Sequence, residues 1–143
     1  MKIKNLYFSP VKSLSFNNVD NLEIIKNIGI KNDRIFAFTN NLNLKDIELI
    51  KKNPLKREIY KFLSLKKYPE LNQYNFLLEE NFLILEFENK IILKTDINNQ
   101  HEVKILCTKL EDILPNINNI NLLKDSMNPF FDTMPNKSIS LIN

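Results

Sequence analysis

The chain has 143 residues, 43% of them hydrophobic and 26% charged, with a formal net charge of +3. That is the size and apolar content of one ordinary domain with its own core, which excludes a disordered composition. So small a charge gives no argument for nucleic acid by itself.

Residues 3–8 fit a strand, short and partly β-branched or aromatic, ended by Pro10. Pro10 fixes its own φ and biases Ser9 away from helix, so the chain leaves the sheet stiffly and presents Lys12 and Ser13. A second strand is expected over 19–25. Gly29 is the only glycine, and a chain this poor in glycine keeps one where φ is positive or the backbone is crowded. Residues 33–39 then alternate, with Arg34, Phe36 and Phe38 on one face and Ile35 and Ala37 on the other. Both faces are apolar, so the strand is expected to be buried, with Arg34 at its start.

Between 40 and 56, Leu44, Ile47 and Ile50 recur at helical spacing, ending at Pro54. Residues 59–65 read as strand and 66–71 as a turn. Strands over 74–78, 82–87 and 91–95, separated by short polar links, have meander spacing. Residues 102–107 read as another strand, with Val103, Ile105 and Cys107 on one face, and 109–114 as a short helix stopped by Pro115. Residues 116–125 are polar and weakly periodic. The run from Phe130 to Asn143 is strand-like with no partner behind it. About eight short strands with few helices predict an all-β fold, a mostly antiparallel β-barrel with one or two short helices.

One cysteine, Cys107, excludes an intramolecular disulfide and fits a reducing compartment. One histidine, His101, excludes a zinc or iron site of His/Cys type from this chain alone. Met1-Lys2-Ile3-Lys4 is not followed by an apolar leader, and no apolar run reaches the roughly 18 residues of a membrane span. The expectation is a soluble, cytoplasmic chain with no membrane partner. Asparagine is abundant, which reads as the bias of an AT-rich coding sequence. Of 20 basic residues only Arg34 and Arg57 are arginine.

Two stretches carry the chemistry: Tyr7-Phe8-Ser9-Pro10-Val11-Lys12-Ser13 and Ile28-Gly29-Ile30-Lys31-Asn32-Asp33-Arg34. If they meet in space, a lysine, a hydroxyl and an arginine converge, a combination suited to an anion such as phosphate. The plain structural readings are a solvated turn for Lys12 and Ser13, and an ion pair of Asp33 with Arg34 that satisfies turn amides. Cys107 reads as a small buried hydrophobe. Lys51, Lys52, Lys56 and Arg57 read as a basic, solvated patch.

Ser9-Pro10-Val11-Lys12-Ser13 resembles the PVKS signature of the N-terminal β-barrel that precedes the MOSC domain in molybdenum cofactor sulfurases and amidoxime-reducing enzymes. Gly29-Ile30-Lys31-Asn32-Asp33-Arg34 is similar to that barrel's Gly-Leu-x-x-Asp-Arg segment. Lys66 before Pro69-Glu70-Leu71 is similar to a third hallmark, where the family usually has arginine. Phe131-Asp132-Thr133-Met134-Pro135 and Ser138-Ile139-Ser140-Leu141-Ile142-Asn143 resemble the opening of the MOSC domain itself. On this resemblance residues 1–125 form the barrel and 126–143 begin a MOSC domain that is otherwise absent, with 40–60 an insertion.

The resemblance implies that Lys12, Ser13, Arg34 and Lys66 help to bind the phosphate of the molybdenum cofactor, molybdopterin. It also implies sulfur transfer or molybdenum redox chemistry in the parent protein. A cysteine desulfurase, holding pyridoxal phosphate, or a molybdoenzyme would be the partner, together with the absent MOSC half if the gene is split. The family's reactive cysteine has no match here, so no catalytic residue is assigned and no turnover by this chain alone is expected. The alternative is a small non-catalytic β-barrel that binds an acidic partner such as RNA through Lys51, Lys52, Lys56 and Arg57.

Overall fold

A computed structural model describes residues 3–54, 57, 58 and 61–131. The expected strand 59–65 lies partly outside these, as does the strand-like run 130–143, and Lys56, residues 132–135 of the first MOSC-like motif and the whole second motif, 138–143, lie outside them.

Strands in antiparallel sheets dominate, with two helices, and no closed barrel forms among the described residues. β1 (Leu6–Phe8) pairs with β2 (Asn17–Val19), and β3 (Ile24–Ile25) with β4 (Gly29–Ile30). The strand expected over 19–25 is thus divided between two ladders. β5 (Phe36–Phe38) is followed by helix α1 (Leu44–Lys52). β6 (Tyr74–Glu79), β7 (Phe82–Phe87) and β8 (Lys90–Asp96) form the meander, with a register shift between Leu85 and Glu86. Helix α2 (Gln100–Ile113) packs on β8, and β9 (Leu122–Lys124) returns to pair with β5.

β5 is the wall between two cores. Phe36 and Phe38 pack into the larger cluster with Leu63, Phe76, Leu85, Leu106 and Leu110. Ala37, on the opposite side of the strand, packs into a smaller one with Ile47, Ile50, Phe62, Leu123 and Phe130. Alternation along a strand buried on both faces produces this division. Ile47 and Ile50 are the helical positions that turn α1 inward, while Leu44 stays exposed. Asn43 caps α1 by accepting from Asp46 N, and Lys51 and Lys52 complement the dipole at its last turn.

Residues 102–107 are helix, not strand. Asn99 accepts from the amides of His101 and Glu102, and Glu102 reaches back to Asn99 Nδ2 and to Asp96 N. An N-cap asparagine with glutamate three residues on is a helix-start signature. Leu106, Cys107 and Leu110 face the core, and Ile105 is left exposed. Cys107 therefore sits on α2, where burial pushes its thiol from 9.0 up to about 11, opposed by a backbone hydrogen bond at Leu122 and reinforced by Glu111.

Asparagine has a structural use beyond coding bias. Among the described residues, Asn27, Asn32, Asn41, Asn89, Asn116 and Asn119 take positive φ, as does Gly29 at 113°. Asparagine tolerates the left-handed region better than other non-glycine residues, so it turns a chain that has one glycine.

The outer edge of β6 shows why the sheet does not close by strand pairing at that point. Phe76 N donates to Ser15 Oγ and Phe76 O accepts from Asn17 Nδ2, each at 2.8 Å. Side chains of the N-terminal loop satisfy the edge peptide groups that a neighbouring strand would otherwise bond.

Candidate functional site

The two sequence motifs lie side by side. Arg34 N donates to Ser9 O, Phe36 N to Pro10 O (3.0 Å) and Lys12 N to Phe36 O (2.8 Å). Val11 and Phe36 form a parallel bridge. The proline turn is thus stitched along the stretch that leads into β5. Ser9 ties the turn internally: its hydroxyl donates to Val11 O at 2.6 Å, with Leu14 O 3.0 Å away. The buried carboxylate of Asp33 joins the motifs, accepting from Ser9 N on Oδ1 and from Arg34 Nη1 on Oδ2.

Arg34 lies in a turn before β5, not on the strand. Its φ is 53° and that of Ser13 is 56°. Neither residue type has asparagine's tolerance of the left-handed region, and such conformations persist where surrounding bonds impose them. At Arg34 the backbone bonds to Ser9 and Phe130 do so. Its guanidinium carbon stands 5.7 Å from the ring centre of Phe16 and 5.4 Å from that of Phe131. The side chain keeps 27% of its surface exposed. Among the described residues its one side-chain hydrogen bond is to Asp33, and a guanidinium has five N–H donors.

Lys12 is placed differently. It is 3% exposed, its ammonium donates to Phe130 O at 3.4 Å and stands 5.9 Å from the Phe62 ring centre. Phe130 is therefore held from both sides, because its own N–H donates to Arg34 O. Lys12 and Arg34 converge on Phe130, Lys12 at its carbonyl and Arg34 at its N–H, and Arg34 also meets the Phe131 ring. Arg34 meets that segment at the surface and Lys12 from beneath. Ser13 is half-buried in the turn between Lys12 and Leu14, and Lys66 is exposed in the turn after Leu65.

Arg57 is the member of this cluster that sequence reasoning placed elsewhere. Instead of a solvated patch it occupies the interior, with its side chain 7% exposed. It donates to Asp125, to Asn128 O and, at 3.5 Å, to Ile50 O in the last turn of α1, and it stacks 4.2 Å from the Phe130 ring centre. Asp125 is fixed in turn by the amides of Met127 and Asn128. The available signal was its identity: an arginine kept among lysines suits a fixed, forked set of bonds. Lys51 and Lys52 remain exposed at the end of α1.

Lys12, Arg57, Phe62, Phe130 and Phe131 line a cleft that also touches Pro54 and Pro129, with about 10 Å³ of enclosed space. That holds roughly one water, so a ligand's ring could not enter it. Arg34 does not line this cleft; it meets the Phe131 ring with 27% of its side chain exposed. Among the described residues no group of three or more His, Cys, Asp or Glu is placed to hold a metal, and no helix is long and apolar enough to cross a membrane.

No family model, no curated protein and no solved structure matches this chain.

Proposed function

We propose that the chain is a β-domain of the kind that precedes MOSC domains and that it helps to bind the phosphate of a molybdopterin cofactor. The observation supporting this reading is the posture of Arg34: oriented by Asp33, flanked by Phe16 and Phe131, and still partly open to solvent. A guanidinium fixed in this way forms charge-assisted, forked hydrogen bonds to phosphate oxygens with little further ordering. Lys12 acts beneath it, adding charge and holding Phe130. Ser13 and Lys66 are the outer contacts in this reading.

The cofactor would supply molybdenum redox or sulfur-carrying chemistry. This chain's residues would hold and orient its phosphate, and pyridoxal phosphate would enter only through a partner desulfurase.

The test is titration of the full chain with a pterin monophosphate. Arg34→Ala should weaken binding about tenfold or more, since hydrogen bonds to charged groups contribute roughly 1.5–3 kcal/mol. Unchanged affinity would contradict the reading. The competing reading, an acidic partner such as RNA on the α1 side, is weakened by the interior position of Arg57. Tight, salt-sensitive RNA retention that survives Arg34→Ala would restore it.

A further inference from the structure

The meander ends in a strand with one side open. β8 is the last in the order β6-β7-β8, and among the described residues no strand or bridge pairs with its outer edge. Helix α2 packs on β8, and its Glu102 accepts from Asp96 N at 2.7 Å. That bond closes the edge at its end only. Ile97 N, by contrast, donates to Asn81 O beside β7. The peptide groups of a strand alternate in direction, so those of Lys94 point outward like the N–H of Asp96. They are the groups that a further strand would bond.

We infer that β8 pairs antiparallel with β8 of a second copy of this chain, about a two-fold axis near Leu93. Exposed edges are ordinarily guarded by lysines, inward charges or bulges. Here the guards are displaced. The Lys94 ammonium stands 4.7 Å from the Phe82 ring centre and 3.7 Å from Glu79 on β6. It leans across its own sheet, away from the edge. The bulge leaves Ile92 without a partner on β7. Two consecutive residues, Ile91 at 60% and Ile92 at 38%, are exposed, where regular alternation would turn one of them inward. Beside unpaired peptide groups they form an apolar strip that an added strand covers.

Charge selects the occupant and its direction. The edge is basic where it begins, at the exposed Lys90, and acidic where it ends, at Asp96 and the neighbouring Glu102. Such a strand complements a copy of itself when the two run in opposite directions. Antiparallel pairing brings each Lys90 near the acidic end of the other copy, whereas parallel pairing sets like charges side by side. Centring on Leu93 also places Lys94 opposite Ile92 of the other copy and not opposite a second lysine. The two three-stranded meanders then make one continuous sheet, with the same patch used by both copies as two-fold symmetry requires.

One strand and its flanking side chains make a small interface, so a dimer with a Kd of roughly 10–100 μM is expected. Sedimentation equilibrium of the full chain across that range reads it. Ile91→Lys, at an exposed position, should raise the Kd about tenfold or more, because pairing would bury a charge. Lys90→Glu should raise it several-fold, and added salt should shrink that difference. Amide exchange at Lys94 should slow as the concentration rises through the Kd. A monomer at every concentration up to about 1 mM would overturn the inference, whether the edge then takes another protein's strand or none. A dimer that Ile91→Lys leaves intact would overturn it as well, because the contact would lie elsewhere. A dimer unmoved by Lys90→Glu would overturn the antiparallel arrangement.

Discussion

Residues 74–96 and the layer formed by residues 9–38 with 122–131 hold together by different means. In the meander, β6, β7 and β8 exchange backbone bonds over their whole length, and short polar turns set the register. Around the candidate site the paired strands are two or three residues long. There the turns are fixed by side chains bonded to backbone: Ser9 to Val11 O, Asp33 to Ser9 N, Lys12 to Phe130 O and Arg57 to Asn128 O. Ladders make a rigid platform from local pattern. Buried polar side chains make a specific shape from residues far apart in the chain.

The largest effect should come from the platform. Phe76 is fully buried, with its ring 5.5 Å from Phe38 in the main core. Phe76→Ala should cost about 3–5 kcal/mol in urea denaturation, through lost burial and the cavity left behind. A loss below about 1 kcal/mol would mean that the meander is not the main support of the fold.

Asp33→Ala should come next, at about 2–3 kcal/mol. Breaking a buried pair costs roughly 3–5 kcal/mol, and the 27% exposure of Arg34 reduces that by solvent screening. Its signature should be local: amide exchange should accelerate over residues 9–14 and leave β6–β8 protected. Uniform acceleration would erase the contrast between the two regions.

Thr95→Val should be mildly stabilising, by about 1 kcal/mol. Thr95 Oγ1 is buried without a hydrogen-bond partner among the described residues, and replacing an unsatisfied hydroxyl by a methyl group removes its desolvation cost. Denaturant midpoints of the two proteins decide it.

The last effect appears only at alkaline pH. The Cys107 thiol is raised in the folded state, so the unfolded chain loses its proton first. The contribution is complete below 9.0 and falls away as pH rises towards about 11. Cys107→Val should flatten stability across that window, and the wild-type thiol should resist alkylation at pH 8 until the protein unfolds.

This contrast also explains what could be read in advance. The meander was legible because alternation and turn spacing are local signals. The meeting of the two motifs was legible as a possibility, since Lys12 and Arg34 both reach the Phe130–Phe131 segment. That Lys12 would face inward was not legible, because the carbonyl it bonds lies on a segment far along the chain. Helix α2 was misread because Val103, Ile105 and Cys107 mimic a strand face, although Leu106 and Leu110 complete a helical one and Asn99 with Glu102 marks its start. β9 was missed because three residues in a polar stretch carry too little pattern, and its pairing with β5 is a tertiary fact. The mostly antiparallel β fold was legible, but among the described residues no closed barrel forms, and at the β6 edge Ser15 and Asn17 bond in place of a strand.

The central claim is that the proline turn and the Asp33-Arg34 turn act on one anion. A double-mutant cycle of Lys12→Met and Arg34→Gln, read as the affinity of the full chain for a pterin monophosphate, tests it most directly. Shared action on one phosphate predicts that each substitution weakens binding and that the pair departs from additivity by more than about 0.5 kcal/mol. Strict additivity, or an affinity that neither substitution changes, would contradict it.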